Sequence, residues 1–152
     1  MKHNFKALQT FRGWSHKDEK FVFGTFDRIG HYYDIIESET RINHSCYPES
    51  IGIYTGKDDA TKWEDRPEWL ENITKEDWTG VPIFAGLPED GNMGWDRIKW
   101  SVSHWNSGGA WSAKVEEVKF KYNETLSTQG FFIPQQCEVI GTAYEQHLKD
   151  TQ

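Results

Sequence analysis

His44 and Cys46 stand two residues apart, the spacing at which side chains on a strand share one face. A zinc site takes about four such ligands, or three with an open position. No second closely spaced pair accompanies them, because Cys137, His104 and His147 are each isolated in the chain. The expected reading is a polar loop histidine beside a small buried thiol, with no metal and no cofactor. Nucleophilic catalysis has no firmer foothold. The chain holds no G-x-S-x-G elbow, P-loop, G-x-G-x-x-G or H-E-x-x-H. The adjacent carboxylates Asp58-Asp59 and Glu116-Glu117 diverge to opposite faces of a strand and make poor acid/base pairs. No catalytic residue is assigned. An enzymatic alternative would need a deep polar pocket holding two or more of His31, His44, His104 and Asp96.

The eight tryptophans carry more. Trp95, Trp105 and Trp111 gather around one hairpin in sequence, while Trp100 reads as core. Exposed tryptophan is enriched in binding hot spots and in base-stacking platforms. A single tryptophan in a β protein is more often core filler. A contact surface is therefore expected among Trp95, Trp105 and Trp111, for a partner or for a second copy. Nucleic acid is an alternative partner, on a face carrying Arg97, Lys99, Lys114, Lys119 and Lys121. The formal net charge of −7 does not favour it, since non-specific binding needs a basic footprint that releases counterions. The acidic stretch of Asp58, Asp59, Glu64, Asp65, Glu68 and Glu71 reads as a solvated face in preference to a mimic of nucleic acid.

The elements that must position these residues are strands. Trp, Tyr and Phe make up 15% of the 152 residues, and 13 glycines punctuate short runs. Aromatic and β-branched residues suit a pleated, half-buried surface. The expected fold class is all-β with one or two short helical turns. Phe11–Trp14 and Phe21–Phe26 make a hairpin around Ser15–Asp18. Gly30 breaks the run before a strand over His31–Ile36, with Tyr33 and Ile35 on one side. Ile51–Tyr54 leads to a turn at Thr55–Asp58, and Val81, Ile83 and Phe84 carry the next strand. Trp95–His104 alternates, with Asp96, Ile98, Trp100, Val102 and His104 on one face. Asn106–Gly109 is a hairpin turn. The partner strand from Ala110 slips phase, which calls for a β-bulge near Glu116-Glu117. Gly130–Ile133 and Glu138–Tyr144 are the last strands. Between about residues 60 and 77, Pro67, Glu68 and the Thr74–Asp77 run signal two short helical turns, whose Trp63, Trp69 and Trp78 must dock on the sheet.

Several segments, in order, carry a resemblance. They are Phe11-Arg12-Gly13-Trp14 with the following Lys17–Gly24, then Gly52-Ile53-Tyr54-Thr55-Gly56-Lys57-Asp58, Gly80-Val81-Pro82-Ile83-Phe84-Ala85-Gly86, Gly130-Phe131-Phe132, and Cys137-Glu138-Val139-Ile140-Gly141-Thr142-Ala143-Tyr144-Glu145. Together they resemble the YopX family of phage and prophage proteins, whose function is largely unknown. The resemblance implies an SH3-like small antiparallel barrel over residues 49–148, preceded by an N-terminal β extension over 1–48, in one compact unit. The segment at about 60–77 is an insertion relative to the family pattern, and Gly86-Leu87-Pro88 departs from it. The function expected is a non-enzymatic binding or assembly module encoded by a phage or prophage. A homo-oligomer is expected, with a host or phage protein as a further partner. No signal peptide and no membrane span are read, and the location expected is the host cytoplasm.

Overall fold

The computed structural model describes residues 10–105, 111–116 and 137–152. The strands are β1 (Phe11–Trp14), β2 (Phe21–Ile29), β3 (Tyr32–Ile36), β4 (Asn43–Cys46), β5 (Gly52–Asp58), β6 (Pro82–Gly86), β7 (Asp96–Trp105), β8 (Trp111–Glu116) and β9 (Cys137–Thr142); helix α1 (Ala143–Asp150) follows. Two antiparallel sheets result. One has the order β4-β3-β2-β1-β5-β6 and the other β8-β7-β9. The mainly-β expectation holds.

The bend in the first sheet comes from β2. Its first half pairs with β1, from Trp14↔Phe21 to Phe11↔Gly24. Its second half pairs with β3, from Thr25↔Ile36 to Ile29↔Tyr32. Gly24 sits at the handover. A Cβ there would overlap the Ile36 carbonyl oxygen, so only glycine fits. The sheet curls far enough for Ser15 to bridge Cys46, with His16 N donating to Ser45 O at 3.0 Å and Tyr47 N to Trp14 O at 3.1 Å.

That curl does not amount to the SH3-like closure expected. Among the described residues no closed barrel forms. β1 is only four residues long and shares just Phe11↔Ile53 and Arg12↔Gly52 with β5, while its return to β4 is a single bridge. The predicted turn at Asn106–Gly109, the bulge at Glu116-Glu117 and the strand at Gly130–Ile133 lie outside, or partly outside, the described residues.

The C-terminus also differs from expectation. The strand ends at Thr142, and Ala143–Asp150 is helical. Thr142 caps the helix: its Oγ1 accepts from Glu145 N at 3.0 Å, and its hydroxyl donates to Glu145 Oε1 at 2.9 Å. The insert holds three 3₁₀ turns, at Trp63–Asp65, Glu68–Leu70 and Lys75–Asp77. Two were expected.

The core follows the alternation. Val22, Tyr33, Ile35, Cys46, Ile51 and Leu87 fill the curl of the first sheet. Ile53, Ile83, Ala85, Ile98 and Cys137 pack between the sheets. Leu70 from the insert joins Val81 and Phe84, with Phe23 and Trp78 against them. Among the described residues no helix is long and apolar enough to cross a membrane.

Candidate functional site

On β1 and β2 the two faces have different work. Gly13 and Val22, opposite each other, turn to the core. Arg12 and Phe23 form the next pair and Trp14 and Phe21 another, and all four side chains line a cleft of about 840 Å³. Period two thus lays three rings and one guanidinium along a single wall.

Arg12 lies at the floor, only 3% exposed. Its Nη2 is 2.7 Å from Asp96 Oδ1 and donates to Gly94 O at 3.0 Å. The guanidinium carbon is 4.7 Å from the Phe21 ring centre and 4.5 Å from that of Phe84, so two rings sandwich it. Asp96, the first residue of β7, is fully buried, and its Oδ2 accepts from Phe84 N at 2.7 Å. Burial pushes the Asp96 carboxyl up, against the pull of Arg12 and of the Phe84 amide in the other direction. Arg12 Nε has no acceptor among the described residues, and no hydrogen is well aimed at Asp96 Oδ1 despite the short ion-pair distance. A pair this buried costs desolvation on both sides and is destabilising to break.

The opposite wall is held by a second buried carboxylate. Asp59 Oδ1 accepts from Thr61 N at 2.9 Å and Val81 N at 2.7 Å. Its Oδ2 accepts from the Thr61 hydroxyl at 2.8 Å and Val139 N at 2.7 Å. Ala60 N donates to Cys137 O at 2.8 Å beside it. These bonds bring the start of the insert and residues 138–142 to the cleft. The insert is pinned by indole donors, Trp63 Nε1 to Ile73 O and Trp78 Nε1 to Thr61 O. From it Trp69 reaches the cleft and stacks on Phe23, ring centres 5.4 Å apart at 8°.

The rim carries both signs of charge. Lys20, Lys62, Asp65, Glu138 and Glu145 line it, and none of them stands in an ion pair among the described residues, although the Lys20 charge reaches Glu37.

The residues expected to matter are spread over the molecule. Trp105 pairs with Trp111 in the backbone register of β7 and β8. Trp95 precedes the other end of β7, roughly 30 Å away at a strand's rise per residue. The backbone of β7 therefore separates position 95 from positions 105 and 111. Of the residues named for an enzymatic pocket, only Asp96 lines the cleft. His31 is exposed beside the Gly30 turn, and His104 lies far along β7 from Asp96. His44 sits elsewhere, with Nδ1 3.4 Å from Asp18 and Nε2 3.2 Å from Glu37. Those carboxylates flank opposite edges of the ring, and Cys46 turns into the core, its thiol pushed up to about 12 by burial. Of the basic face, Arg97 donates to Gln146 and Lys99 is exposed. Lys114 belongs to β8, while Lys119 and Lys121 lie outside the described residues.

Arg12, Asp59, Phe23 and Trp69 were not expected to form a site. The alternation of Arg12 and Trp14 against Phe21 and Phe23 was the available signal.

Compared with protein-family models, with curated proteins and with solved structures, the chain matches none.

Proposed function

We propose that this protein is a non-enzymatic binding module that takes its ligand in the cleft over Arg12 and Asp96. One observation carries the reading. The rings stand open to the cleft, while the buried ionisable groups beneath them are engaged by the protein itself. Arg12 is taken by Asp96, Gly94 and two rings. Asp59 accepts four hydrogen bonds, the capacity of a carboxylate. A general base needs a lone pair directed at substrate, and a nucleophile needs access. Phe21, Phe23, Trp14 and Trp69 offer instead what a binding site needs, rigid apolar area with little entropy to lose. The YopX-like motifs accompany the proposal, with the phage or prophage setting and the host-cell interior that they imply.

Amide chemical-shift mapping of the ¹⁵N-labelled protein against a library of small ring compounds and short peptides tests this. The expected result is perturbation confined to Phe23, Trp69, Val139 and their neighbours, with the ligands recovered unchanged. Perturbation clustered elsewhere, or chemical conversion of a ligand, overturns it.

A further inference from the structure

Resting on that reading of the cleft, we infer that its ligand is an aromatic ampholyte: a flat ring bearing both an ammonium and a carboxylate, as in a free aromatic amino acid or a short peptide with an aromatic end residue. Size sets the scale. A volume of about 840 Å³ lies inside the range of roughly 300–1,000 Å³ typical of small-ligand pockets.

The ring is specified by the wall. Trp69 is stacked on Phe23, and Trp14 stands edge-on to Phe21 with ring centres 5.0 Å apart at 88°. A flat guest meets faces and edges of both orientations there, the geometries that aromatic pairs favour.

The charges are specified by the rim. The floor is electrically balanced, because Asp96 offsets Arg12. Around it Lys20 and Lys62 supply two cations and Asp65, Glu138 and Glu145 three anions, none of them in an ion pair among the described residues. A purely anionic guest such as a nucleotide would gain from the lysines and be opposed by the three acids. A purely cationic guest meets the reverse. A guest with both charges engages both sets. The backbone adds one more feature. In the β7–β9 ladder Arg97 pairs with Gly141 and Ile98 with Val139, which leaves Ile140 as an extra residue in the wall.

Isothermal titration of the full chain tests this with L-tryptophan, L-phenylalanine and dipeptides with an aromatic first residue. N-acetyltryptophan, tryptophan amide, indole and adenosine monophosphate are run beside them. The ampholytes are expected to bind about ten-fold more tightly than the compounds lacking one charge. Trp69→Ala and Lys62→Glu, both at exposed positions, are each expected to weaken binding about ten-fold while far-UV circular dichroism stays unchanged. Dipeptides binding above the free amino acids identify a chain end as the source, and the reverse order identifies the free compound. Indole or the nucleotide binding as well as the ampholytes overturns the inference and leaves the cleft reading intact. If no ring compound binds, both fall.

Discussion

The Asp59 carboxylate accepts the Val139 amide at 2.7 Å, across 80 residues of chain. The other oxygen takes the Val81 amide at the same distance. One buried side chain therefore fastens Val81, the residue leading into β6 of the six-stranded sheet, to β9 of the three-stranded one. Both amides are directed at the carboxylate, which ties the two segments together from side chain to backbone.

Removing it leaves buried amides unsatisfied. Asp59→Ala is expected to cost about 3 kcal/mol or more, because each hydrogen bond to a charged group contributes roughly 1.5–3 kcal/mol. Asp59→Asn keeps one acceptor oxygen and should cost about half as much. Urea unfolding followed by tryptophan fluorescence measures both. A midpoint unchanged in Asp59→Ala would rule out the junction.

The Arg12–Asp96 pair makes a different prediction. Arg12→Met strands a buried carboxylate, and Asp96→Asn strands a buried guanidinium. Each single change is expected to cost about 3–5 kcal/mol. The double variant should be less damaging than the sum of the two, by about 1–3 kcal/mol, since neither charge is then left alone. A double-mutant cycle in urea reads this directly. Strict additivity would show that the pair is not coupled.

Burial raises the thiols of Cys46 and Cys137 to about 12. At pH 8 both are then protonated as well as inaccessible. A disulfide reagent such as DTNB is expected to release almost no colour from the folded protein. In 6 M guanidinium it should titrate two thiols per chain. Rapid labelling of native protein would contradict the packing of both residues.

Glu37 gives a pH signature. Its carboxyl is held below the ordinary value of 4.5, first by the Thr40 hydroxyl at 2.5 Å and further by His44, against the opposing effect of burial. A depressed folded value means that the stabilisation is complete above the unfolded value and fades as pH falls through the folded one. The stability difference between wild type and Glu37→Gln is therefore expected to shrink as pH falls below 4.5. Chemical denaturation at stepped pH checks it. A difference that grows in acid would reverse the sign.

Much of the strand pattern was legible in the sequence because it is local. Tyr33 and Ile35 alternate into the core as read, and Gly30 makes the turn before them with a positive φ of 59°. Ile98 is buried and Lys99 exposed, as the phase of β7 requires. What was missed depends on distant partners. Tyr144 lies in a run that reads as strand, yet its ring packs on Trp14 and Tyr47 and the chain turns helical. The Thr142-x-x-Glu145 cap was the overlooked local signal. Trp95 and Trp105 look close because they are close in sequence, but an extended strand separates them. Asp59 reads as part of a solvated acidic face, and Arg12 only as a member of a strand arm. Their burial is decided by Asp96 in one case and by the amides of Val81 and Val139 in the other, groups that no local window contains.

The insert closes on itself before it reaches the cleft. Asp58 pairs with Pro82, and Asp59 N donates to Val81 O at 2.8 Å, so both ends of the loop meet at a stitched neck. Lengthening or shortening what lies beyond such a neck changes closure entropy only slowly. Evolution can thus swap this lobe, Trp69 and Lys62 with it, while the ladder beneath keeps its register. Recognition and fold are inherited as separable parts, and a descendant that traded one lobe for another would acquire a new guest on an old frame.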